Sequence, residues 1–253
     1  MNKDAVVIGG MGVVGKATRR MLDIDQYWDL AEFGGITLEA LSAKQYLFLC
    51  LPTPTIEGVC DISRLRYYVN FLGKDHTYII RSTVPPGTAR GLSEEYGVAV
   101  VSCPEFLTEA TADTDCVAPN LLVLGSDDPE LGARVYHRFF SRVNAETVIS
   151  TDTVTAETIK YAINVFYATK TLFANALYDV AQGLGIDYGV VVEAMYARKW
   201  VGRNHLTVPW KGTRGVTGRC LPKDLAAFAA FSSHPFFEYL VAENTRQTRG
   251  NDA

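Results

Sequence analysis

The sequence lacks any run of about 18 apolar residues, so no membrane-spanning helix is expected. It also lacks an excess of basic residues: the net charge is −4, which argues against a nucleic-acid partner. Its five cysteines form no CxxC pair and are odd in number. This pattern favours reduced thiols in a cytoplasmic protein over a disulfide framework or a metal site. The N-terminal residues do not have the pattern of a signal peptide.

Apolar residues make up 48% of the 253 residues, which is enough for a sizeable core in one large domain or two smaller ones. Through the first 150 residues, short apolar runs alternate with segments of helical periodicity, which indicates a parallel sheet covered on both faces. The predicted strands are residues 5–10, the region around Trp28, and residues 46–51, 77–82, 98–102, 121–125 and 146–150. The predicted helices between them are residues 14–22, 63–72 and 130–140.

The character of the sequence changes near Thr151. Residues 155–183 contain no proline or internal glycine and are apolar nearly all round, which predicts a long, deeply buried central helix. Further helices are predicted at residues 187–196, 221–233 and 235–247. We therefore expect an α/β fold: a Rossmann-like, doubly wound parallel sheet over residues 1–152, followed by a helical domain over residues 153–253.

A glycine-rich turn follows the first predicted strand and opens the first helix. Glycines here permit a tight turn, close approach of backbone N–H groups to a pyrophosphate, and close packing of helix on strand. An acid at the end of the second strand, Asp29 or alternatively Glu32, is suited to bind the ribose of NAD; no arginine cluster follows that would hold the extra phosphate of NADP. We favour Asp29. The turn consists of Gly10, Met11, Gly12, Val13, Val14 and Gly15.

Two proline-containing loops, CLPTPT (50–55) and RSTVPPGT (81–88), follow predicted strands at the edge where α/β sheets bind ligands. They offer the hydroxyls of Thr53, Ser82 and Thr83. The alternative interpretation is a pair of structural turns with capping hydroxyls.

Two polar pairs are spaced four residues apart. Glu105 and Glu109 would share one face of a helical turn, close enough to raise one another's pKa, but we favour the alternative of a solvated acidic turn. Lys160 and Asn164 project from one side of the long helix and could donate hydrogen bonds to an oxyanion. Alternatively, the lysine extends to water and the amide bonds to the backbone.

Cys220 follows a glycine-rich loop and precedes a predicted helix with Pro222 near its first turn. A helix N-terminus, with Arg219 and Lys223 nearby, would favour a reactive thiolate. The alternative is an inert, buried thiol.

Taken together, these segments resemble the UDP-glucose/GDP-mannose dehydrogenase family. The resemblance implies a two-step, four-electron oxidation of the C6 alcohol of a nucleotide sugar to the carboxylate, with NAD as the cofactor. The segments follow the family's order: GMGVVG (10–15), CLPTP (50–54), STVPPGT (82–88), PEFLTEATA (104–112), ETIKYAIN (157–164), GID (185–187) and GVTGRCLPKD (215–224).

The resemblance also assigns roles. Cys220 corresponds to the nucleophile that forms a thiohemiacetal and then a thioester, and Lys160 and Asn164 correspond to the pair that stabilises the alkoxide. Asp224 corresponds to a carboxylate that positions the base and water network. Cofactor contacts are expected from the glycine turn, Asp29, Pro52, Thr53, Ser82, Thr83 and Glu109. Glu105 corresponds to the glutamate of thioester hydrolysis and Thr83 to a threonine that binds water. Substrate contacts are expected from Glu105, Phe106, Leu107, Lys160, Asn164, Gly215, Gly218 and Cys220.

The sequence departs from the family pattern in several places. Cys103 replaces an asparagine and Leu121 replaces an arginine. Arg219 is bulkier than the residue expected in the glycine-rich approach to Cys220, where it would narrow the sugar pocket or meet a phosphate. The resemblance covers the first two domains of the family and not its C-terminal, nucleotide-binding domain.

Two other functions remain open from the sequence. One is a two-electron dehydrogenase of the β-hydroxyacid type, which needs no cysteine; the other is a non-catalytic NAD- or nucleotide-sugar-binding dimer. Because helix 155–183 is apolar on more faces than one small domain covers, we also expect a homodimer.

Overall fold

The computed structural model describes residues 2–29, 34–107, 115–198 and 200–249. The chain forms two compact units, residues 1–54 with 60–160 and residues 55–59 with 161–253. The division falls inside one long helix, between Lys160 and Tyr161; a domain boundary at residues 152/153 stays a prediction. Among the described residues, no helix has the length and hydropathy needed to cross a bilayer.

The first unit is built on an eight-stranded sheet. Its strands are β1 (Ala5–Ile8), β2 (Tyr27–Asp29), β3 (Gly34–Gly35), β4 (Tyr46–Leu49), β7 (Thr77–Ile80), β8 (Ala99–Ser102), β9 (Leu121–Gly125) and β10 (Thr147–Thr151), in the spatial order β10-β9-β8-β7-β4-β1-β2-β3. Strands β2, β1, β4, β7 and β8 are parallel, as are β9 and β10. The predicted parallel sheet is confirmed for these seven strands. It needs correction at β2–β3 and at β8–β9, which pair antiparallel. Apolar runs do not encode strand direction.

Both faces of the sheet are buried at its central strands, β1, β4 and β7. Val7 and Phe48 pack into one apolar cluster, whereas their neighbours Val6 and Leu47 pack into another. Successive side chains of a strand point to opposite faces, so burial on both sides requires apolar residues at every position. This explains the near-continuous apolar runs of the sequence.

Helices surround the strands of the first unit. They are α1 (Val13–Leu22), α2 (Leu38–Ser42), α3 (Ser63–Leu72), α4 (Thr88–Tyr96) and α5 (Pro129–Val135), the last continuing as a π-helical turn over Tyr136–Phe140. Helices α2 and α4 were not predicted. Helix α4 buries only Ala89 and Leu92, too few apolar positions to give a clear helical period.

The second unit is mainly helical. The long helix α6 (Thr153–Leu184) enters it, and α7 (Tyr188–Ala197), α8 (Leu221–Ser232) and α9 (Pro235–Thr248) follow, close to the predicted bounds. A hairpin of β5 (Thr55–Ile56) and β6 (Val59–Cys60) was not predicted. It is hydrogen-bonded to α8, where the Thr55 hydroxyl donates to the Lys223 carbonyl at 2.9 Å. The core of this unit includes Val165, Leu172, Val216, Leu225 and Leu240.

The prediction that the long helix is deeply buried was wrong. One side of α6 is buried, for example at Ala168 and Leu172, but Phe166, Phe173 and Val180 are 63%, 54% and 56% exposed. These three residues are spaced seven apart and therefore lie on one side of the helix. The apolar face of α6 is wider than the described part of the chain covers.

Candidate functional site

The glycine turn holds α1 close to β1 and leaves room beside its first turn. A side chain at Gly15 would meet the Gly9 carbonyl oxygen at 2.1 Å, so only glycine allows this packing. At Gly12, the N-cap of α1, the nearest atom to an added Cβ is 3.6 Å away, and no side chain caps the helix. The backbone is thus approachable at a helix N-terminus, which fits the pyrophosphate of a dinucleotide.

Asp29 lies against this turn. It ends β2, the parallel neighbour of β1, and its Oδ2 accepts a hydrogen bond from the Met11 N–H at 3.0 Å. The carboxylate therefore stands next to the glycine turn, where a ribose-binding acid is expected in this fold. Its role as a ribose ligand stays a prediction, and Glu32 lies outside the described residues.

The hydroxyls of the two proline-containing loops join those loops to each other. The Ser82 hydroxyl donates to the Leu51 carbonyl at 2.7 Å and accepts from the Leu51 N–H at 2.9 Å. The Thr53 hydroxyl donates to the Thr83 carbonyl at 2.7 Å. Thr53 and Ser82 are buried, Pro52 is exposed, and Thr83 is half-buried. These bonds fit the structural interpretation of the loops, and contacts to a cofactor stay predictions.

Glu105 is paired with a buried arginine that the sequence reasoning missed. The Arg81 guanidinium forms an ion pair with Glu105 and donates to the Cys103 carbonyl at 3.1 Å and to the Thr18 hydroxyl at 3.3 Å. Arg81 is 2% exposed and Glu105 is 8% exposed. The interpretation as a solvated acidic turn is therefore wrong for Glu105, because its carboxylate is buried and bound to Arg81. Glu109 lies outside the described residues.

Four of the five cysteines are buried thiols. Burial raises the pKa of Cys50 to about 11, and burial also raises the pKa of Cys103. Cys60 and Cys116 are buried as well, and none of the five cysteines, all of which are described, forms a disulfide. Only Cys220 is exposed, so it is the cysteine that a dissolved reactant can reach.

Glu157, in the second turn of α6, caps another helix. Its carboxylate accepts from the N–H groups of Gly87 at 2.6 Å and of Ala89 at 2.9 Å, at the start of α4. Burial raises the pKa of Glu157 to about 7, although the N–H groups of Ala89 and Gly87 oppose this shift. The residue fixes the end of loop 81–88, and the sequence reasoning assigned it no role.

Lys160 is buried one turn further along α6. It is 9% exposed, and its Nζ lies 5.2 Å from the centroid of the Phe106 ring. This distance is within the range of a cation–π interaction. The alternative of a lysine extended to water is therefore wrong, and Lys160 contacts the segment that also contains Glu105. Phe106 and Leu107 are both half-buried.

Asn164 and Asp224 form a buried hydrogen bond in the second unit. The Asn164 Nδ2 donates to Asp224 Oδ2 at 2.6 Å, and the Lys223 ammonium forms an ion pair with the other carboxylate oxygen. Asp224 is fully buried. The Lys223 ammonium is thus bound to Asp224, and its expected effect on the Cys220 thiol stays a prediction.

Cys220 is the N-cap residue of α8, with Pro222 in the first turn. The two glycines before it differ. No described atom lies within 4 Å of a Cβ added at Gly218, whereas one added at Gly215 would meet Thr248 Cγ2 at 2.8 Å. Gly218 therefore leaves space near the thiol, and Gly215 is packed against α9.

Two domain models of one family match the chain in order. Residues 32–144 match the NAD binding domain of the UDP-glucose/GDP-mannose dehydrogenase family, and residues 154–249 match its central domain. The chain belongs to this family. The glycine turn at residues 10–15 lies before the matched range. Its assignment to dinucleotide binding therefore rests on the packing of Gly12 and Gly15 and on the bond from Met11 to Asp29.

Individual members of the family are about 30% identical to the chain. A GDP-mannose 6-dehydrogenase of Pseudomonas savastanoi is 30% identical over 239 residues, which cover 83% of the chain and 53% of the relative. A UDP-glucose 6-dehydrogenase of Rickettsia conorii is 30% identical over 212 residues, 79% of the chain and 47% of the relative. The chain thus spans about half the length of these relatives.

A solved structure of the family agrees with the fold. A UDP-glucose dehydrogenase from Pyrobaculum islandicum has a TM-score of 0.80 and 26% identity, covering 96% of this chain and 68% of that one. The predicted resemblance to the family's first two domains is confirmed.

Proposed function

We propose that the chain provides the NAD-binding and catalytic parts of a nucleotide-sugar 6-dehydrogenase, which oxidises the C6 alcohol of a UDP-glucose-like substrate to the carboxylate. The observation that carries the proposal is the contrast among the thiols: Cys220 alone is exposed, and it begins the helix that holds Asp224 against Asn164. Family membership supports the reaction class.

Cys220 acts as the nucleophile. When bound, NAD accepts a hydride from the C6 carbon in each of two oxidations. After the first, the Cys220 sulfur adds to the C6 aldehyde and forms a thiohemiacetal; after the second, the carbon is a thioester. Water then adds to the thioester carbonyl, releasing the carboxylate and returning the thiol. Covalent capture keeps the reactive aldehyde from escaping.

Lys160 and Asn164 supply donors to the C6 oxygen. The spacing of one helical turn puts both on the same side of α6, and oriented donors stabilise the negative oxygen that develops in each step. Asp224 is fully buried and bonded to the Asn164 amide. It therefore orients Asn164 rather than touching substrate.

Glu105 is suited to assist the hydrolysis of the thioester. The ion pair with Arg81 favours its carboxylate form, which accepts hydrogen bonds and can take a proton from water. Thr83 is half-buried and follows β7. Its hydroxyl is proposed to bind the attacking water on the side of the cofactor.

The reaction class is tested by NADH absorbance with UDP-glucose, GDP-mannose and their N-acetyl relatives. We expect two NADH per sugar consumed and a nucleotide uronic acid as the product. One NADH per substrate would favour the two-electron dehydrogenase. Tight NAD binding without NADH formation from any sugar would favour the non-catalytic dimer.

We also propose that the chain forms a homodimer through the exposed face of α6. Three large apolar side chains, Phe166, Phe173 and Val180, repeat every seven residues on this face. A stripe of this kind is typical of helices that pack against a partner. A location in the cytoplasm stays a prediction.

Phe173→Glu is expected to dissociate this dimer, because it places a charge in the middle of the apolar stripe. Sedimentation velocity at micromolar concentration should give a dimer for the wild-type chain and a monomer for the variant. Phe71→Glu, at a phenylalanine that is 50% exposed on α3, is the matched control and should remain dimeric. A wild-type monomer would contradict the proposal.

A further inference from the structure

Asn175 binds the loop that leads to Cys220. It lies on α6 and is 2% exposed. Its Oδ1 accepts from the Arg214 Nε at 2.7 Å and from the Gly215 N–H at 3.0 Å, while its Nδ2 donates to the Thr171 carbonyl at 2.9 Å. One buried amide thus ties two successive loop residues to the long helix.

Asn244 binds the next residue of the loop from α9. Its Oδ1 accepts from the Val216 N–H at 2.7 Å, and its Nδ2 donates to the Val216 carbonyl at 3.2 Å. The Val216 side chain is 2% exposed and packs with Leu172 and Leu225. Residues 214–216 are therefore held by side chains of two helices and by the core.

An ionic group reinforces this attachment. The Arg214 Nη2 donates to Asp179 Oδ1 at 2.5 Å and to the Asn175 carbonyl at 3.1 Å. The same guanidinium lies 4.9 Å from the centroid of the Tyr178 ring. The planar guanidinium thus bonds to α6 at several points, which orders the loop more than a single bond would.

Only residues 217–219 separate the held loop from Cys220. All three are exposed, whereas the first turn of α8 is fixed by the bond from the Asp224 N–H to the Cys220 carbonyl at 3.0 Å. A three-residue segment held at both ends has few conformations. The attachment of residue 216 therefore limits where the Cys220 sulfur can lie.

We propose that Asn175 and Asn244 are positioning residues for the Cys220 thiol. This inference rests on the proposed function for its consequence in catalysis, but the orientation of the thiol can be measured without it. Asn175 acts through Arg214 and Gly215, and Asn244 acts through Val216.

Alkylation of Cys220 by iodoacetamide tests the proposal. The other four cysteines are buried, so Cys220 is the fast-reacting thiol of the native chain, and mass spectrometry confirms the site. We expect the native rate constant to differ from that of the urea-unfolded chain. In Asn175→Ala and Asn244→Ala, the alkylation rate constant of the folded chain should move severalfold toward that of the unfolded chain, because residues 217–219 are no longer held at residue 216.

Conservative and control variants separate positioning from general destabilisation. Asn175→Asp keeps both acceptor contacts to the loop and loses only the donor to the Thr171 carbonyl, so its rate constant should lie closer to the wild-type value than that of Asn175→Ala. Gln182→Ala, at an exposed amide on the same helix, should change nothing. Asn244, which is only half-buried, decides the question if Asn175→Ala does not fold. The proposal would be overturned if the folded alanine variants are alkylated at the wild-type rate. It would also be overturned if Cys220 of the native wild-type chain reacts at the same rate as in the unfolded chain.

Turnover distinguishes this proposal from the proposed function. If the chain produces NADH, Asn175→Ala should lower kcat on the order of tenfold to a hundredfold with an unchanged KM for NAD, since misplacing a reacting group costs about this much. If no sugar yields NADH, the proposed function is wrong. The alkylation result would still test the positioning of Cys220, because it does not depend on turnover.

Discussion

Cys220→Ser is expected to lower the formation of the uronic acid product on the order of a thousandfold or more, while NAD binding is retained. A serine hydroxyl is a much weaker nucleophile than a thiolate at neutral pH, so the second oxidation loses its covalent intermediate. The first oxidation does not need the sulfur, and aldehyde should accumulate. Trapping the aldehyde with a hydrazine and counting NADH per sugar measures both effects.

A second cysteine variant provides the control for this result. Cys116 is fully buried, and Cys116→Ala should retain uronic acid formation. If Cys220→Ser also retains uronic acid formation, the sulfur is not the nucleophile and the covalent mechanism fails. One NADH per sugar without uronic acid, unchanged in Cys220→Ser, would instead favour the two-electron dehydrogenase.

The local features of the site could be predicted from the sequence. The turn at residues 10–15 and the acid at Asp29 belong to one β–α–β segment, so their chemistry depends on neighbours in the chain. The structure accordingly brings Asp29 to the Met11 N–H. The position of Cys220 at the start of α8 is also local, because the glycine loop before it and Pro222 after it fix the start of the helix.

The partners of the charged groups could not be predicted, because they are distant in the chain. Arg81 and Glu105 meet because β7 and β8 are neighbours in the sheet, and Asn164 meets Asp224 across 60 residues of sequence. No periodicity encodes such a meeting. A signal for Glu157 did exist: Glu157, Lys160 and Asn164 follow a helical spacing of three and four, which puts all three on one face.

These pairings change the chemistry expected at each position. The sequence suggested for Glu105 either a solvated turn or a neighbouring carboxylate that would raise its pKa; among the described residues, the structure pairs it with the Arg81 guanidinium. Likewise, the ammonium expected to serve Cys220 is bound to Asp224. The residue types were therefore predicted better than the partners of their charged groups.

Gly15→Ala and Gly12→Ala are expected to separate stability from cofactor binding. At Gly15 an added Cβ would lie 2.1 Å from the Gly9 carbonyl oxygen and 2.7 Å from the Gly10 Cα, so strand and helix must move apart. We expect a loss of about 3 kcal/mol in the free energy of unfolding, at the upper end for overpacking. Urea unfolding followed by circular dichroism measures it.

Gly12→Ala introduces the same methyl group three residues earlier, where the protein has room for it. The backbone of Gly12 has a φ of −68°, and the only described atom within 4 Å of its added Cβ is the Gly9 oxygen, at 3.6 Å. Stability should therefore change by less than about 1 kcal/mol. The methyl group would instead occupy the approach to the first turn of α1, and NAD binding measured by calorimetry should weaken by about tenfold or more. If Gly12→Ala binds NAD like the wild-type chain, the pyrophosphate does not lie on this turn, because the methyl group would have to share that space.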